Sequence, residues 1–163
     1  MTSALADRFR DAMRRAASGV AILTTDGPAG RAGVTVSTLC SLSIEPPSVI
    51  ACVHRDNRAL DMMSRNGVFA ANVLADDQEM VAKSFAGLIP ELRDDRFASG
   101  RWQTLASGVP MLLGALAGFD CRIAKVFEFG THRIIVGEVL EVTGREGDPL
   151  LFADRSFRRL VAA

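Results

Sequence analysis

The chain has 163 residues, of which 48% are hydrophobic and 23% charged, and its 19 basic and 19 acidic residues cancel. This length and composition predict a single globular domain over residues 1–163 that folds without a metal or a disulfide to stabilise it. A surface that binds nucleic acid normally has a basic excess, so the charge balance argues against nucleic acid as a partner.

The first segment of the chain predicts an amphipathic helix. Apolar residues recur at helical spacing from Leu5 to Ala16, and the arginines fall mostly on the other face. Thr2 or Ser3 can cap the start of this helix, and Gly19 is its expected end. We therefore expect a helix with one apolar face, followed directly by the first strand.

The next segments predict strands joined by short turns. Four apolar runs are bounded by turn residues or proline: VAILTT, RAGVTVSTLCSLSI, SVIACVH and VFAANVL. The first two runs flank the turn DGPAG and should form a hairpin. Pro46 and Pro47 end the second run, because proline has no N–H to donate to a sheet. Between the third and fourth runs, the segment NRALDMMSR predicts a short helix closed by Asn66 and Gly67.

A second short helix and a long surface segment come next. Asp76 and Glu79 have the spacing of a capping box and should open a helix over DDQEMVAKSFAG. The polar segment from Pro90 to Gly108 carries Phe97 and Trp102, which we expect to pack this segment onto the core.

The last third of the chain predicts two long strands and a short C-terminal unit. The two strands should meet at a hairpin tip at Thr131–His132, and the apolar pattern slips near Lys125, which predicts a bulge. The segment DPLLFADRSFRRL is interpreted as a short strand followed by a final helix.

These elements predict a mainly β fold with peripheral helices. Most strands are joined by short turns, and parallel strands would need long crossovers, so we expect antiparallel pairing. Closing such a sheet removes its exposed edges. The expected architecture is therefore a small antiparallel β-barrel.

Cysteine use and hydropathy bear on the compartment. Cys40, Cys52 and Cys121 are widely spaced and lie in apolar runs, which is typical of thiols in a reducing compartment. The N-terminal segment has no apolar core of a secretory signal, and no apolar run is long enough to span a bilayer. We expect a cytoplasmic protein without a membrane partner. With His54 and His132 as its only histidines, the chain predicts no metal site.

One stretch carries most of the chemistry. Residues 33–58, GVTVSTLCSLSIEPPSVIACVHRDNR, place hydroxyls along a strand and then a cluster of cationic and amide side chains. A flavin suits this pattern, because small residues let a backbone approach its flat ring. Asn57 can cap a helix that begins near Arg58, and a helix start beside Arg55 or Arg58 suits a phosphate. Residues alone leave a second interpretation open, in which the hydroxyls are a solvated strand face and the charges a solvated helix start.

Short motifs in a specific order connect this stretch to a family. They run from FRDAMRRAASGVAILTT through GVTVSTLCSLSIEPPSVIACVHR, FAANVLADDQ, SFAG, RF with a following Trp, GVPML and HRIIVGEV to PLLF. In their order and spacing the chain resembles the flavin reductase-like family, the small reductase components of two-component flavin monooxygenases. The resemblance covers nearly the whole chain.

The resemblance implies an FMN-binding antiparallel split β-barrel, a homodimer, and a flavin site near the dimer interface. It places flavin-binding residues on two strands and at the helix start that follows the second strand: Thr35, Val36, Ser37, Thr38, Cys52, Val53, His54, Arg55, Asn57 and Arg58. Ser84 and Phe85 would close the site. His132 matches the catalytic histidine on the nicotinamide side, and Phe152 and Phe157 match C-terminal positions that flank the nicotinamide.

The resemblance also implies the reaction. A hydride would pass from NADH or NADPH to N5 of FMN or FAD, and the reduced flavin would diffuse to a partner monooxygenase. Asp56 and Ala59 stand where many family members carry Ser or Thr, which leaves the choice among FMN, FAD and riboflavin open. The alternatives are a non-catalytic flavin-binding or carrier module, a structural dimer with a vestigial pocket, and a flavoprotein reductase that acts on another acceptor such as a corrinoid.

Overall fold

The computed structural model describes residues 3–161, in which three α-helices, two short 3-10 helices (Pro90–Leu92 and Arg96–Ser99) and twelve strands are present. The α-helices are α1 (Ala4–Met13), α2 (Arg58–Asn66) and α3 (Glu79–Phe85). The strands are β1 (Ser18–Gly19), β2 (Ala21–Thr25), β3 (Ala32–Val36), β4 (Cys40–Ile44), β5 (Pro47–His54), β6 (Val68–Val73), β7 (Trp102–Thr104), β8 (Pro110–Leu112), β9 (Ala117–Phe129), β10 (His132–Gly144), β11 (Leu151–Ala153) and β12 (Ser156–Arg158). Within residues 3–161, no helix has the length and hydropathy that crossing a bilayer requires.

The main sheet has seven antiparallel strands in the order β3-β2-β6-β9-β10-β5-β4. The predicted mainly β fold with peripheral helices is therefore confirmed. β3 and β4 are the two edge strands and do not pair with each other, so the sheet is not closed into a barrel by backbone hydrogen bonds. Only residues 37–39 connect those edges, and the four steps from Val36 to Cys40 span about 14 Å at most. The sheet must therefore curl until its two edge strands approach each other.

The predicted single strand over residues 31–44 is wrong, because it divides into β3 and β4. β3 forms the expected hairpin with β2, whereas β4 pairs with β5. The apolar pattern continues across Ser37–Leu39, but the backbone there leaves one edge of the sheet and joins the other. Local periodicity does not distinguish these two arrangements.

The main core lies inside the curled sheet, against one face of α2. Leu60 and Met63 of α2 pack with residues of the inner strands such as Leu23, Phe69 and Ile135, and all five are fully buried. Asn57 caps α2 as predicted, and Gly67 ends it with a positive φ of 74°. This packing sets where the N-terminus of α2 meets the surface.

Two of the predicted helix boundaries are wrong. Ser3 caps α1 as expected, while Thr2 lies outside the described residues, but α1 ends at Met13 and Gly19 belongs to β1. Asp76 does not cap α3: Gln78 is the N-cap residue, and the Asp76 N–H donates to the Asp148 carbonyl instead (2.9 Å).

The predicted C-terminal helix is also wrong. The segment forms the hairpin β11–β12, whose two turn residues, Asp154 and Arg155, have φ angles of 47° and 61°. Such turns usually carry Asn or Gly, so the sequence gives little sign of this one. Phe152 and Phe157 face each other across the hairpin, with ring centroids 5.3 Å apart, and pack against a second core cluster. The hairpin thus brings both aromatic rings onto the core.

The long β9–β10 hairpin matches its prediction. Its tip lies between Phe129 and His132, and the pairing shifts by one residue between Lys125 and Ile123, where Ala124 is the extra residue. The bulge predicted near Lys125 is confirmed. The hairpin carries His132 directly opposite His54 of β5.

Candidate functional site

A cleft of about 620 Å³ opens at the N-terminus of α2. It is lined by Arg31, Ala32, Gly33, Asp56, Asn57, Arg58, Ala59, Met62, Phe85, Arg93, Asp94, Asp95, Arg96 and Phe97. The Asn57 side chain accepts a hydrogen bond from the Ala59 N–H (2.9 Å), which fixes the first turn of α2. A helix N-terminus presents backbone N–H groups and the positive end of the helix dipole. The cleft therefore suits an anionic group.

Arg55 and Arg58, the two candidate phosphate-binding arginines from the sequence, have different surroundings in the structure. Arg58 is the first residue of α2 and lines the cleft. The Arg55 guanidinium instead donates to the Gly130 carbonyl (3.4 Å), and its backbone N–H donates to the Thr131 carbonyl (2.9 Å). Arg55 thus ties the end of β5 to the tip of the β9–β10 hairpin.

Thr38 and Cys52 join the two strands that the sequence singled out. The Thr38 hydroxyl donates to the Cys52 carbonyl (2.9 Å) and accepts from the Cys52 N–H (3.0 Å). The N–H of His54, two residues further on, points to the same side of β5, because backbone groups alternate along an antiparallel strand. β4 runs along this side of β5 but begins at Cys40, opposite Ile50, so it does not extend as far as His54.

Two exposed histidines stand side by side at the ends of β5 and β10. His54 and His132 are cross-strand partners with ring centroids 5.3 Å apart. Nδ1 of His54 accepts from the Asp56 N–H (3.3 Å), and Nδ1 of His132 lies 2.9 Å from the Thr131 hydroxyl. In both rings the local contact engages Nδ1 rather than Nε2. Within the described residues, no group of three or more potential metal ligands comes together.

The predicted residues of β3 have different environments. The Thr35 hydroxyl donates to the Ala82 carbonyl of α3 (2.7 Å), so its proton is engaged inside the protein. Val36 is a core residue with 8% exposure, whereas Ser37 is exposed. Val53 of β5 is likewise buried. Any ligand contact from Val36 or Val53 must therefore come from the backbone.

Ser84 and Phe85 end α3 beside the cleft. The buried Ser84 hydroxyl donates to the Arg96 carbonyl (3.1 Å), which ties α3 to the surface segment. Phe85 lines the cleft and meets Phe97 and Trp102 edge to face, with centroid distances of 5.0 and 5.7 Å. The expectation that Phe97 and Trp102 pack the surface segment onto the core is confirmed.

Phe152 and Phe157 form a pair of their own on β11 and β12. Lys83 of α3 lies 5.9 Å above the Phe157 ring, and both phenylalanines pack on the cluster around Leu74 and Val81. The placement of these two residues at a nicotinamide site remains a prediction.

Several residues of the cleft were not predicted. Arg31 lies in the turn before β3, and Arg93 and Arg96 lie in the polar segment after Pro90. An isolated cationic residue such as Arg31 or Arg93 has no local pattern that marks it as a ligand. The motif RF at Arg96–Phe97 was a usable signal, because the segment that carries it folds back onto the cleft.

Cys121 is a buried thiol that stays protonated at neutral pH. Burial, with a smaller effect of the neighbouring Asp120 carboxylate, raises the pKa of the Cys121 thiol from 9.0 to about 12. Asp120 is itself buried and accepts from the Ser107 N–H (2.8 Å) and the Ser107 hydroxyl. At neutral pH, Cys121 is a small apolar core residue.

Comparison with known proteins identifies a family and several relatives. The family model for the flavin reductase like domain matches residues 13–161. The FMN reductase (NADH) RutF of Ancylobacter novellus is 42% identical over 154 residues, which is 93% of this chain and 83% of that protein.

Solved structures agree with this comparison. The NADH:FAD oxidoreductase SgcE6 of Streptomyces globisporus, in complex with NAD and FAD fragments, is 30% identical, with a TM-score of 0.87 over 95% of this chain and 92% of that one. A nitrilotriacetate monooxygenase component B homologue from Mycobacterium thermoresistibile is 28% identical, with a TM-score of 0.88 over 98% of this chain and 89% of that one.

Proposed function

The chain belongs to the flavin reductase-like family, and from this we propose that it is an NAD(P)H-dependent flavin reductase that supplies reduced FMN or FAD to a partner monooxygenase. The names of its relatives support the reaction and both flavins. The relationship to a monooxygenase component B homologue supports the partner. The structural observation that carries the proposal is the anion-favouring cleft at the N-terminus of α2, next to the polar ends of β5 and β10.

The residues present fit a flavin. The curled sheet with open edges is consistent with the FMN-binding split barrel, whose ligand would lie where the two edges approach. Arg58 and the first turn of α2 would hold the phosphate. Ser37 and Thr38 would lie along the ribityl chain and ring, and the N–H of His54 would donate to the polar edge of the ring.

When bound, the two coenzymes would supply the chemistry of the reaction, which is hydride transfer from nicotinamide C4 to flavin N5. The protein's own residues align the two rings. Thr38 holds Cys52, and thereby the end of β5, in place. His132 would orient the nicotinamide through Nε2, since its Nδ1 already meets the Thr131 hydroxyl. Alignment of two reactants at contact distance contributes about 7–11 kcal/mol at best.

The site is suited to releasing its product. Ser37, Thr38, His54 and His132 are all exposed, so the expected flavin site is shallow. A shallow site buries less of the flavin and holds it less tightly. This is what a reductase needs when its reduced flavin must diffuse to another enzyme.

We further propose a homodimer, because the single chain exposes large apolar side chains. On α1, Leu5 is 73% exposed and Phe9 63%. On β4, Leu42 is 52% exposed and Ile44 92%, beside an apolar groove of about 360 Å³. Exposed apolar patches of this kind mark interaction surfaces. A second copy would cover the edge strand β4 and complete the wall of the flavin site.

One assay tests the proposed function. Purified protein is mixed with NADH or NADPH, with and without FMN, FAD or riboflavin, and nucleotide oxidation is followed at 340 nm under controlled oxygen. Flavin-dependent oxidation is the expected result. Flavin binding without oxidation would support the carrier module instead, and neither binding nor oxidation would leave a vestigial pocket.

A further inference from the structure

Arg31, in the turn before β3, and Arg96, in the surface segment after Pro90, line the same cleft but belong to elements other than α2. We propose that they form a second anion subsite that binds the adenylate phosphate of FAD, so that this chain binds FAD more tightly than FMN. The proposal rests on the proposed function. It decides between FMN and FAD. The comparisons do not, since the relatives include both an FMN reductase and an NADH:FAD oxidoreductase.

The Arg31 guanidinium packs on an aromatic side chain. Its guanidinium carbon lies 3.7 Å above the centroid of the Phe97 ring. The Phe97 ring is fixed edge to face by Trp102, at a centroid distance of 4.9 Å, and the Trp102 indole N–H donates to the Phe97 carbonyl (2.7 Å). The Arg31 head group is thus placed in the cleft before any ligand arrives.

Arg96 is fixed through both its side chain and its backbone. Its guanidinium donates to the Phe85 carbonyl (3.2 Å), which uses one of five N–H groups. Its own carbonyl accepts from the hydroxyls of Ser84 (3.1 Å) and Ser99 (2.7 Å). An arginine fixed in this way loses little conformational freedom when a ligand binds.

The positive charge of the cleft is not neutralised by close ion pairs. The lining contains four arginines and three aspartates, yet none of these arginines has a carboxylate oxygen within 4.0 Å among the described residues. Asp56, two residues before Arg58 in the chain, has its carboxylate 3.8 Å from Arg55 and 3.9 Å from His54. Unpaired guanidinium groups in a concave site favour a phosphate, which accepts their hydrogen bonds in pairs.

The single phosphate of FMN does not account for all of these groups. The N-terminus of α2 and Arg58 suffice for that phosphate, which leaves Arg31 and Arg96 without an anion. FAD carries a second phosphate and a flat adenine, and a guanidinium plane accepts an aromatic ring by stacking. The cleft volume of about 620 Å³ lies within the ordinary range for sites that hold a small molecule.

The test compares flavin affinities in the full chain. Dissociation constants for FAD, FMN and riboflavin are measured by flavin fluorescence for the wild type, Arg31→Gln, Arg96→Gln and Arg96→Lys. Arg65→Gln, at the far end of α2, is the matched control. We expect FAD binding to weaken by about tenfold in the two glutamine variants, the usual effect of losing a charge-assisted hydrogen bond. FMN and riboflavin binding should change by less than about twofold.

A second measurement uses 5′-AMP as the probe. We expect AMP to displace FAD from the wild type at concentrations that leave FMN bound, and this displacement should be lost in Arg31→Gln. Equal weakening of FAD and FMN in the glutamine variants would overturn the proposal, because the arginines would then serve the shared phosphate. A change confined to the KM for NADPH would also overturn it, in favour of the 2′-phosphate of that coenzyme. Either result leaves flavin reduction itself intact, whereas a wild type that binds no flavin overturns the proposed function.

Discussion

The hydroxyl of Thr38 takes the place of a backbone partner for Cys52. The β4–β5 pairing sets Cys40 opposite Ile50, and the same register extended by two residues sets Thr38 opposite Cys52. β4 has already ended there, so the side chain supplies both the donor and the acceptor that a neighbouring strand would provide. The strand end that is expected to meet the flavin ring pairs with β10 along one edge, and along its other edge the Thr38 hydroxyl takes the place of a neighbouring strand.

Replacing Thr38 by valine tests this relationship. Valine keeps the shape of the side chain but loses the hydroxyl, which leaves both backbone groups of Cys52 without this partner. We expect the free energy of unfolding to fall by about 1–3 kcal/mol and flavin affinity to fall with it, because the end of β5 loosens. Urea unfolding and flavin titration measure the two effects. Thr38→Ser retains the hydroxyl and should stay close to the wild type, so equal losses in both variants would count against the hydrogen bonds.

Arg58 should carry the affinity for the flavin phosphate. In Arg58→Gln we expect the dissociation constant for FMN to rise by about tenfold, while that for riboflavin, which has no phosphate, stays unchanged. Fluorescence titration at two salt concentrations measures both constants, and the FMN effect should shrink at high salt. Arg65→Gln removes the same charge from the last turn of the same helix and should have little effect. A riboflavin constant that rises as much as the FMN constant would place Arg58 elsewhere in the site.

His132 should act on the nicotinamide coenzyme. We expect His132→Ala to raise the KM for NAD(P)H and to lower kcat, with a combined loss of about tenfold in kcat/KM, while flavin affinity and the thermal midpoint change little. Steady-state kinetics at saturating flavin measure the loss. Lys125→Ala, an exposed change on the same hairpin, is the control. Wild-type kinetics in His132→Ala would remove this histidine from the mechanism.

Ile44 provides a test of the proposed dimer. Its side chain is 92% exposed on the edge strand β4, and burial of such a side chain contributes about 1.5–3 kcal/mol per copy. We expect Ile44→Asp to convert the dimer to a monomer in light scattering after gel filtration. Leu88→Asp, an exposed apolar residue that does not line the groove, should remain dimeric. A wild type that elutes as a monomer at all concentrations would remove the dimer from the proposal.

The buried thiol of Cys121 predicts a loss of stability at high pH. Its pKa in the folded state is raised to about 12, whereas the unfolded chain should titrate near the ordinary value of 9.0. The folded state therefore keeps a proton that the unfolded state loses. Stability from this group is complete below pH 9 and declines as the pH rises from 9 towards 12, by up to about 1.4 kcal/mol per pH unit.

Urea unfolding between pH 8 and 10.5 measures this decline. Cys121→Ala should lower stability at every pH through lost packing, but its stability should fall less steeply above pH 9 than that of the wild type. Thiol labelling gives an independent check, since the exposed Cys40 should react in the folded protein and Cys121 only after unfolding. Parallel pH profiles for the two proteins would show that Cys121 does not titrate as expected.

Sequence reasoning succeeded where a signal was local. The caps of α2, the β2–β3 hairpin, the hairpin tip before His132 and the bulge near Lys125 each depend on residues close together in the chain. Prediction from sequence failed where the same pattern of apolar residues is compatible with either a helix or a strand. The C-terminal segment was predicted as a short strand and a final helix; the strand is present as β11, but the residues after it form β12, which lets Phe152 and Phe157 pack on each other and on the core.

The sequence by itself determined the kinds of most elements, the family and the expected chemistry, because periodicity, caps and motif order are properties of neighbouring residues. Only the tertiary structure decided which strands lie at the edges of the sheet, that Thr38 meets Cys52, and that Arg58 rather than Arg55 faces the cleft. It also brought Arg31 and Arg96 into that cleft. These relationships depend on contacts between distant parts of the chain, which form when the sheet curls around its core and which no local pattern encodes.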